Sequence, residues 1–232
     1  MRKIFILLFV LLPEISIVRS QTFKTVKMEF TRTIERDNRQ ETSSGSIYYN
    51  STKTILKITE PIIQWILMTG DSLLIYYPNE KQALLMKCEN PATLPFLNMF
   101  VGVVKENFGL GELGYGIIKN EMKGDTLFTY WAPPTTRRKF MGPVVLALLK
   151  NKLVLSESQN PQGKTILKTI YQNHISYRTK NFPLQMTVFQ FSEQGTIIEN
   201  VTFVNPLFDQ PFPIEIENFC IPQDIIPEEI EW

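Results

Sequence analysis

Between Val26 and Lys87 the chain repeats one pattern: a short run of alternating apolar and polar residues, closed by a turn. Successive side chains of a strand point to opposite faces, so a period of two gives strands with one face to bury. Val26, Met28, Phe30 and Ile34 alternate with Lys27, Glu29 and Thr31 in the first run. After a polar loop at 37–44, further runs follow at 45–49, 53–58, 62–68, 73–77 and 82–87, with turns at Glu60-Pro61, Gly70-Asp71 and Pro78-Asn79-Glu80. Strands so close along the chain pair as an antiparallel meander.

The period then changes. In residues 91–107, Phe96, Met99, Phe100, Val103 and Val104 recur at spacings of three and four. That spacing puts them on one face of a helix, which Gly109 and Gly111 end. Strands resume at 115–122 and 126–131 around Lys123-Gly124-Asp125. Hairpins follow at 152–156 with 164–171, and at 184–191 with 196–205; a last strand is expected at 214–220, before a loose acidic tail. Residues 137–155 fit a strand or a helical turn equally.

Sandwich, closed barrel and half-barrel all give this string of strands. One amphipathic helix between two strand groups favours a single curved antiparallel sheet, an unclosed half β-barrel with the helix as its lid. No repeat or linker divides the chain.

The N-terminus reads as a leader. Arg2 and Lys3 precede the apolar run from Ile4 to Leu12, and Val18-Arg19-Ser20 offers a cleavage site. Residues 1–20 are therefore expected to be a signal peptide and 21–232 a single domain. No cysteine lies near the cut to carry a lipid anchor, so a soluble exported protein is expected.

Composition excludes several functions. With 24 Lys and Arg against 23 Asp and Glu, the net charge of +1 gives no electrostatic grip on nucleic acid. One histidine, His174, and two cysteines leave little material for metal or triad chemistry. There is no glycine-rich phosphate loop, Gly-x-Ser-x-Gly elbow or His-Glu-x-x-His. The chain is expected to have no catalytic residues, no metal and no cofactor, hence not to be an enzyme. Cys88 and Cys220 either pair in an oxidising compartment, worth about 4 kcal/mol if unstrained, or remain free thiols. Arg137-Arg138-Lys139 beside Phe140 is a short basic cluster, either a solvated loop or a contact for anionic headgroups or a partner. Asn50 and Asn200 sit in glycosylation sequons that matter only in a eukaryotic secretory route.

Several segments, in order, resemble the LolA family of periplasmic outer-membrane lipoprotein carriers. They are Ser44-Gly45-Ser46-Ile47-Tyr48, Glu60-Pro61, the strand Gly70-Asp71-Ser72-Leu73-Leu74-Ile75-Tyr76-Tyr77-Pro78, the proline-led helix from Leu94-Pro95-Phe96-Leu97, the hairpin 115–131, and Phe219-Cys220-Ile221-Pro222. The resemblance spans nearly all of the chain after the leader. It implies a lidded half-barrel, and a monomeric periplasmic carrier that shields the acyl chains of a lipoprotein or another lipidated product. An inner-membrane donor and an outer-membrane acceptor would be its partners. A lipid- or protein-sensing module on the same scaffold, without transport, is the alternative.

Two departures bear on the cargo. Only Gln21 and Thr22 precede Phe23, where the family usually has a helix. The strand segment 54–57 also lacks the arginine with which the carriers hold the lid shut. The expected lipid-binding residues are Phe96, Met99, Phe100, Val103 and Val104 on the lid, and Phe30, Tyr48, Trp65, Leu67, Leu74, Tyr76 and Leu84 on the sheet. For each alone, ordinary core packing is the simpler role.

Overall fold

The computed structural model describes residues 23–70, 72–87 and 95–230, without the side chains of 95–99 and Glu106. Residues 1–22 and Cys88 lie outside this range, and with them the leader and any Cys88–Cys220 bridge. Cys220 itself is exposed.

The first six strands are β1 (Thr25–Arg36), β2 (Arg39–Asn50), β3 (Thr54–Glu60), β4 (Gln64–Thr69), β5 (Ser72–Tyr77) and β6 (Gln82–Lys87), the meander read from the alternation. Helix α1 (Pro95–Val104) follows, shorter at its described end than the expected 91–107. Then come β7 (Gly116–Lys123), β8 (Thr126–Ala132), β9 (Val144–Leu149), β10 (Lys152–Gln159), β11 (Thr165–Tyr177), β12 (Lys180–Ser192) and β13 (Gly195–Phe208). A helical turn, α2 (Ile214–Glu217), and a short strand, β14 (Glu228–Ile230), complete the order. Val144–Leu149 is thus a strand, which resolves the ambiguous segment.

The fourteen strands among the described residues form one sheet, ordered β14-β6-β5-β4-β3-β2-β1-β13-β12-β11-β10-β9-β8-β7. It is curved and unclosed, with β14 and β7 at its ends. Every neighbouring pair is antiparallel except β14 with β6. The chain goes out through β2 to β6 and returns through β7 to β13. β1 and β13 then pair from Val26 with Phe208 to Glu35 with Ile198 and join the halves.

The main core fills the concave face. Phe30, Leu56, Leu73, Leu146, Met186 and Phe203 are buried there, from strands of both halves. Alternate burial along β1, where Val26, Met28 and Phe30 are covered and Glu29 is exposed, follows the sequence pattern directly.

A second cluster lies on the outer face, where Tyr48, Ile55, Trp65 and Leu67 are covered by Phe212, Ile216 and Phe219. Residues 214–220 are therefore not a strand. Pro213 fixes the entry to a helical turn, Ile216 is fully buried against the outer face, and Lys53 Nζ donates to the carbonyls of Ile216 and Glu217. The tail, expected to be loose, adds β14 to the edge of β6 at Leu84–Met86, with Lys87 paired to Glu229. Phe219 stacks on Trp65 at 4.4 Å between centroids, and Lys57 lies 4.8 Å from the same ring centre. Phe219→Ala is expected to cost about 1–2 kcal/mol and to red-shift tryptophan emission as Trp65 gains water. Thermal unfolding and fluorescence check both.

Candidate functional site

The register decides which residues face the hollow of the sheet. Residues paired across neighbouring strands share a face. Ile47, Leu56, Ile66, Ile75 and Leu84 form one row on the concave side, and Met68, Leu73 and Met86 form another. Tyr48, Ile55, Leu67, Leu74 and Leu85 form the outer row between them, with Trp65 and Tyr76 alongside.

Of the seven sheet residues expected to share one lipid-facing side, Phe30 and Leu84 therefore face the hollow. Tyr48, Trp65, Leu67, Leu74 and Tyr76 face away from it. The cause is a phase error of one residue, which exchanges the faces of a strand. Leu73-Leu74-Ile75-Tyr76-Tyr77 is apolar at every position, so hydrophobicity sets no phase there.

Helix α1 lies over the concave face. Phe100 and Val104 are fully buried beneath it, and Val103 nearly so. The Phe100 ring lies 5.7 Å from Phe182, 5.8 Å from Phe203 and 6.3 Å from Tyr49, between centroids. Three of the five expected lid residues thus enter the core; the side chains of Phe96 and Met99 lie outside the described residues. The chain leaves the helix by a sharp reversal. Asn107, Phe108 and Gly109 have φ of 49°, 54° and 75°. Such a left-handed run is costly for a bulky residue like Phe108. Lys105 pairs with Glu112 across this reversal.

Beside the helix the core is not filled. A cavity of about 790 Å³ opens where four parts of the chain meet. Tyr49 to Thr54 bound it at the β2–β3 turn. Val101 and Gly102 of α1, Lys105 just after it, and the segment from Phe108 to Tyr115 form its cover. Val144, Ser158, Leu167, Gln190 and Ile197 line the far wall. The volume lies within the range of about 300–1,000 Å³ usual for sites holding small ligands.

Sequence reasoning missed the charged feature of this face. Arg32 of β1 hydrogen-bonds and pairs with Glu199 of β13, whose side chain is 3% exposed. Burial pushes the Glu199 carboxyl above the usual range, and Arg32 pulls it part of the way back. The signal was present: Glu199 occupies the inward phase of Ile197, Val201 and Phe203, and Arg32 that of Met28 and Phe30. Farther along, Tyr171 is buried with its hydroxyl 3.1 Å from Ser156 Oγ, and burial raises its pKa to about 12.

His174 shares a 2.7 Å hydrogen bond with the Leu153 carbonyl, and burial lowers its pKa. It is a structural residue of β11. Among the described residues no group of three or more His, Cys, Asp or Glu could hold a metal ion. No described helix is long and apolar enough to cross a membrane.

No protein-family model and no curated protein matches the sequence. Solved structures do match the fold. A LolA superfamily protein from Nitrosomonas europaea aligns at a TM-score of 0.61 and 14% identity, over 83% of this chain and 89% of that one. A DUF1329 family protein from Desulfovibrio piger aligns at 0.65 and 12%, over 84% and 89%. An outer-membrane lipoprotein-sorting protein domain from Vibrio parahaemolyticus aligns at 0.61 and 11%, over 84% and 89%. Each match covers more than four-fifths of both chains, and the family agrees with the short motifs read from the sequence: this chain has the LolA-like fold.

Proposed function

We propose that the protein is a periplasmic carrier that shields acyl chains of a lipoprotein or another lipidated product during transfer towards the outer membrane. The observation that carries this reading is the unfilled hollow of about 790 Å³ beside the short helix that lies over the concave face. Each methylene taken from water contributes about 0.8 kcal/mol, so acyl chains need dispersed apolar contact, and a helical cover permits gradual release. The reading includes export by the leader at 1–20, a monomeric 21–232 domain, and membrane-bound donor and acceptor partners. It requires neither catalysis nor a cofactor.

Phe100, Val103 and Val104 anchor the cover in this reading, and Leu167 and Ile197 line the wall against which a chain lies. Leu167→Trp and Ile197→Trp fill the hollow from half-buried positions. Each is expected to weaken binding of a fluorescent sixteen-carbon fatty acid at least about tenfold, the loss of roughly two methylene contacts, while the melting temperature stays near that of the parent. Native mass spectrometry of the gently purified protein is expected to show bound lipid or lipoprotein. A protein that purifies empty and binds the probe equally in all three forms sinks the carrier and leaves the sensing module.

A further inference from the structure

The loop 133–143 between β8 and β9 combines a large exposed aromatic with three cations. Phe140 is 82% exposed, and residues 135–140 are exposed throughout, including Arg137, Arg138 and Lys139. No Asp or Glu occurs from Thr126 to Ser156, so no acid within the loop or its flanking strands neutralises the tip.

The tip is built rather than slack. Its turn is closed by bonds of 2.9 Å from the Arg137 N–H to the Pro134 carbonyl, and from the Phe140 and Met141 N–H groups to the Arg137 carbonyl. At its base, a side chain on Gly142 would lie 2.2 Å from the carbonyl oxygens of both Gln159 and Asn160, so only glycine fits. The Tyr115 hydroxyl donates to the Gly142 carbonyl at 3.1 Å, and the Gln159 N–H to the Pro143 carbonyl at 2.9 Å.

A second apolar feature lies at the same end of the sheet. Ile117 and Ile118, consecutive on the terminal strand β7, are 52% and 66% exposed. A register shift between Ile117 and Lys119 falls where β7 meets Trp131 and Tyr130, close before the loop begins.

We propose that this loop is a docking tip for a bilayer containing anionic phospholipid. Phe140 enters the headgroup–acyl boundary, Arg137, Arg138 and Lys139 meet the lipid phosphates, and Ile117 and Ile118 add apolar area beside it. Aromatic insertion combined with basic charge is what an anionic interface selects. An acidic protein surface would match the cations but leave Phe140 without an apolar phase. Tyr115 lines the cavity and donates to the Gly142 carbonyl at the base of the loop, so one residue links the docked tip to the cavity. The docking rests on the loop alone; only its purpose rests on the carrier reading.

The test is flotation of the purified protein with vesicles of phosphatidylcholine, and of phosphatidylcholine mixed equally with phosphatidylglycerol. The protein is expected to float with the mixed vesicles and far less with the neutral ones. The combined Arg137→Gln, Arg138→Gln, Lys139→Gln variant is expected to lose about a hundredfold in partitioning, a factor of about five per cation. Phe140→Ser is expected to lose about tenfold. Both change only exposed side chains, so their melting temperatures and fatty-acid probe binding should match the parent. Equal flotation of parent and variants overturns the docking tip, as does a parent that does not float with either vesicle. Either result leaves probe binding to judge the cavity separately.

Discussion

Phe182→Ala is expected to lower the unfolding free energy by about 3–5 kcal/mol, the cost of removing a fully buried phenylalanine from a packed core. Phe182 is fully buried on β12 and ties together parts of the chain that are far apart in sequence. Its ring lies 6.5 Å from Phe23, 5.7 Å from Phe100, 5.8 Å from Phe203 and 6.0 Å from Phe208. These neighbours come from the segment before β1, from helix α1, and from the middle and the C-terminal end of β13. The alanine thus opens a void where the cover meets the sheet. Edge-to-face contacts with Phe23, Phe100 and Phe203 are lost together, each worth about 0.5–1.5 kcal/mol beyond area. Phe189 on the same strand provides the control. It is only half-buried and stacks on Phe191 at 6.5 Å, so Phe189→Ala is expected to cost about 1.5 kcal/mol or less. Urea unfolding of both variants measures the difference; equal losses would mean that the aromatic cluster is not what seats the helix.

The strands were legible where alternation was clean and illegible where it was not. β1 alternates cleanly from Val26 to Thr31, and the apolar phase of Val26, Met28 and Phe30 is the buried one. In β5 every residue after Ser72 is apolar because both faces are covered, the inner by the core and the outer beside the C-terminal segment. The strand was found, but its phase was not. That one missing phase misplaced Leu74 and Tyr76, and the same error reached Trp65 and Leu67 on β4.

Residues 214–220 deceived for a related reason. Ile214, Ile216 and Phe219 are apolar enough for a strand, yet no sheet edge is open to them there. Ile216, from a single helical turn, and Phe219, just after it, cover an apolar outer face instead, while Ile214 stays exposed. The cover itself was readable from spacing alone, since Phe100, Val103 and Val104 could share a face only in a helix. The hollow was not readable. A cavity is space left between elements, and local patterns state what packs without stating how completely.

Arg32→Met is expected to cost about 3–5 kcal/mol at neutral pH, because it strands a buried carboxylate. Glu199 is nearly sealed from solvent, while the Arg32 side chain is 17% exposed. The carboxyl is already raised above its ordinary value by burial, and Arg32 is the cation that offsets this. A raised folded-state pKa means that the folded protein holds the proton more tightly than the unfolded chain. Its contribution to stability is therefore complete below the ordinary glutamate value of 4.5 and is lost as the pH rises through the folded value. Without Arg32 the folded value moves higher, so the variant loses more than the parent over that rise. The deficit of Arg32→Met should be greatest at neutral pH and shrink as the pH falls towards 4.5.

Replacing both partners removes the buried charge altogether. Arg32→Met with Glu199→Met is expected to lie within about 1 kcal/mol of the parent, or above it. A double-mutant cycle repeated at neutral and acidic pH measures the coupling. A deficit that does not change with pH would assign the cost of Arg32→Met to lost packing of the arginine stem rather than to charge. The outcome also bears on the hollow, since Ile197 lines it from the position two residues before Glu199 on the same face. If the doubly apolar variant is as stable as the parent yet binds the fatty-acid probe differently, the pair is kept for what it does to the cargo and not for the fold.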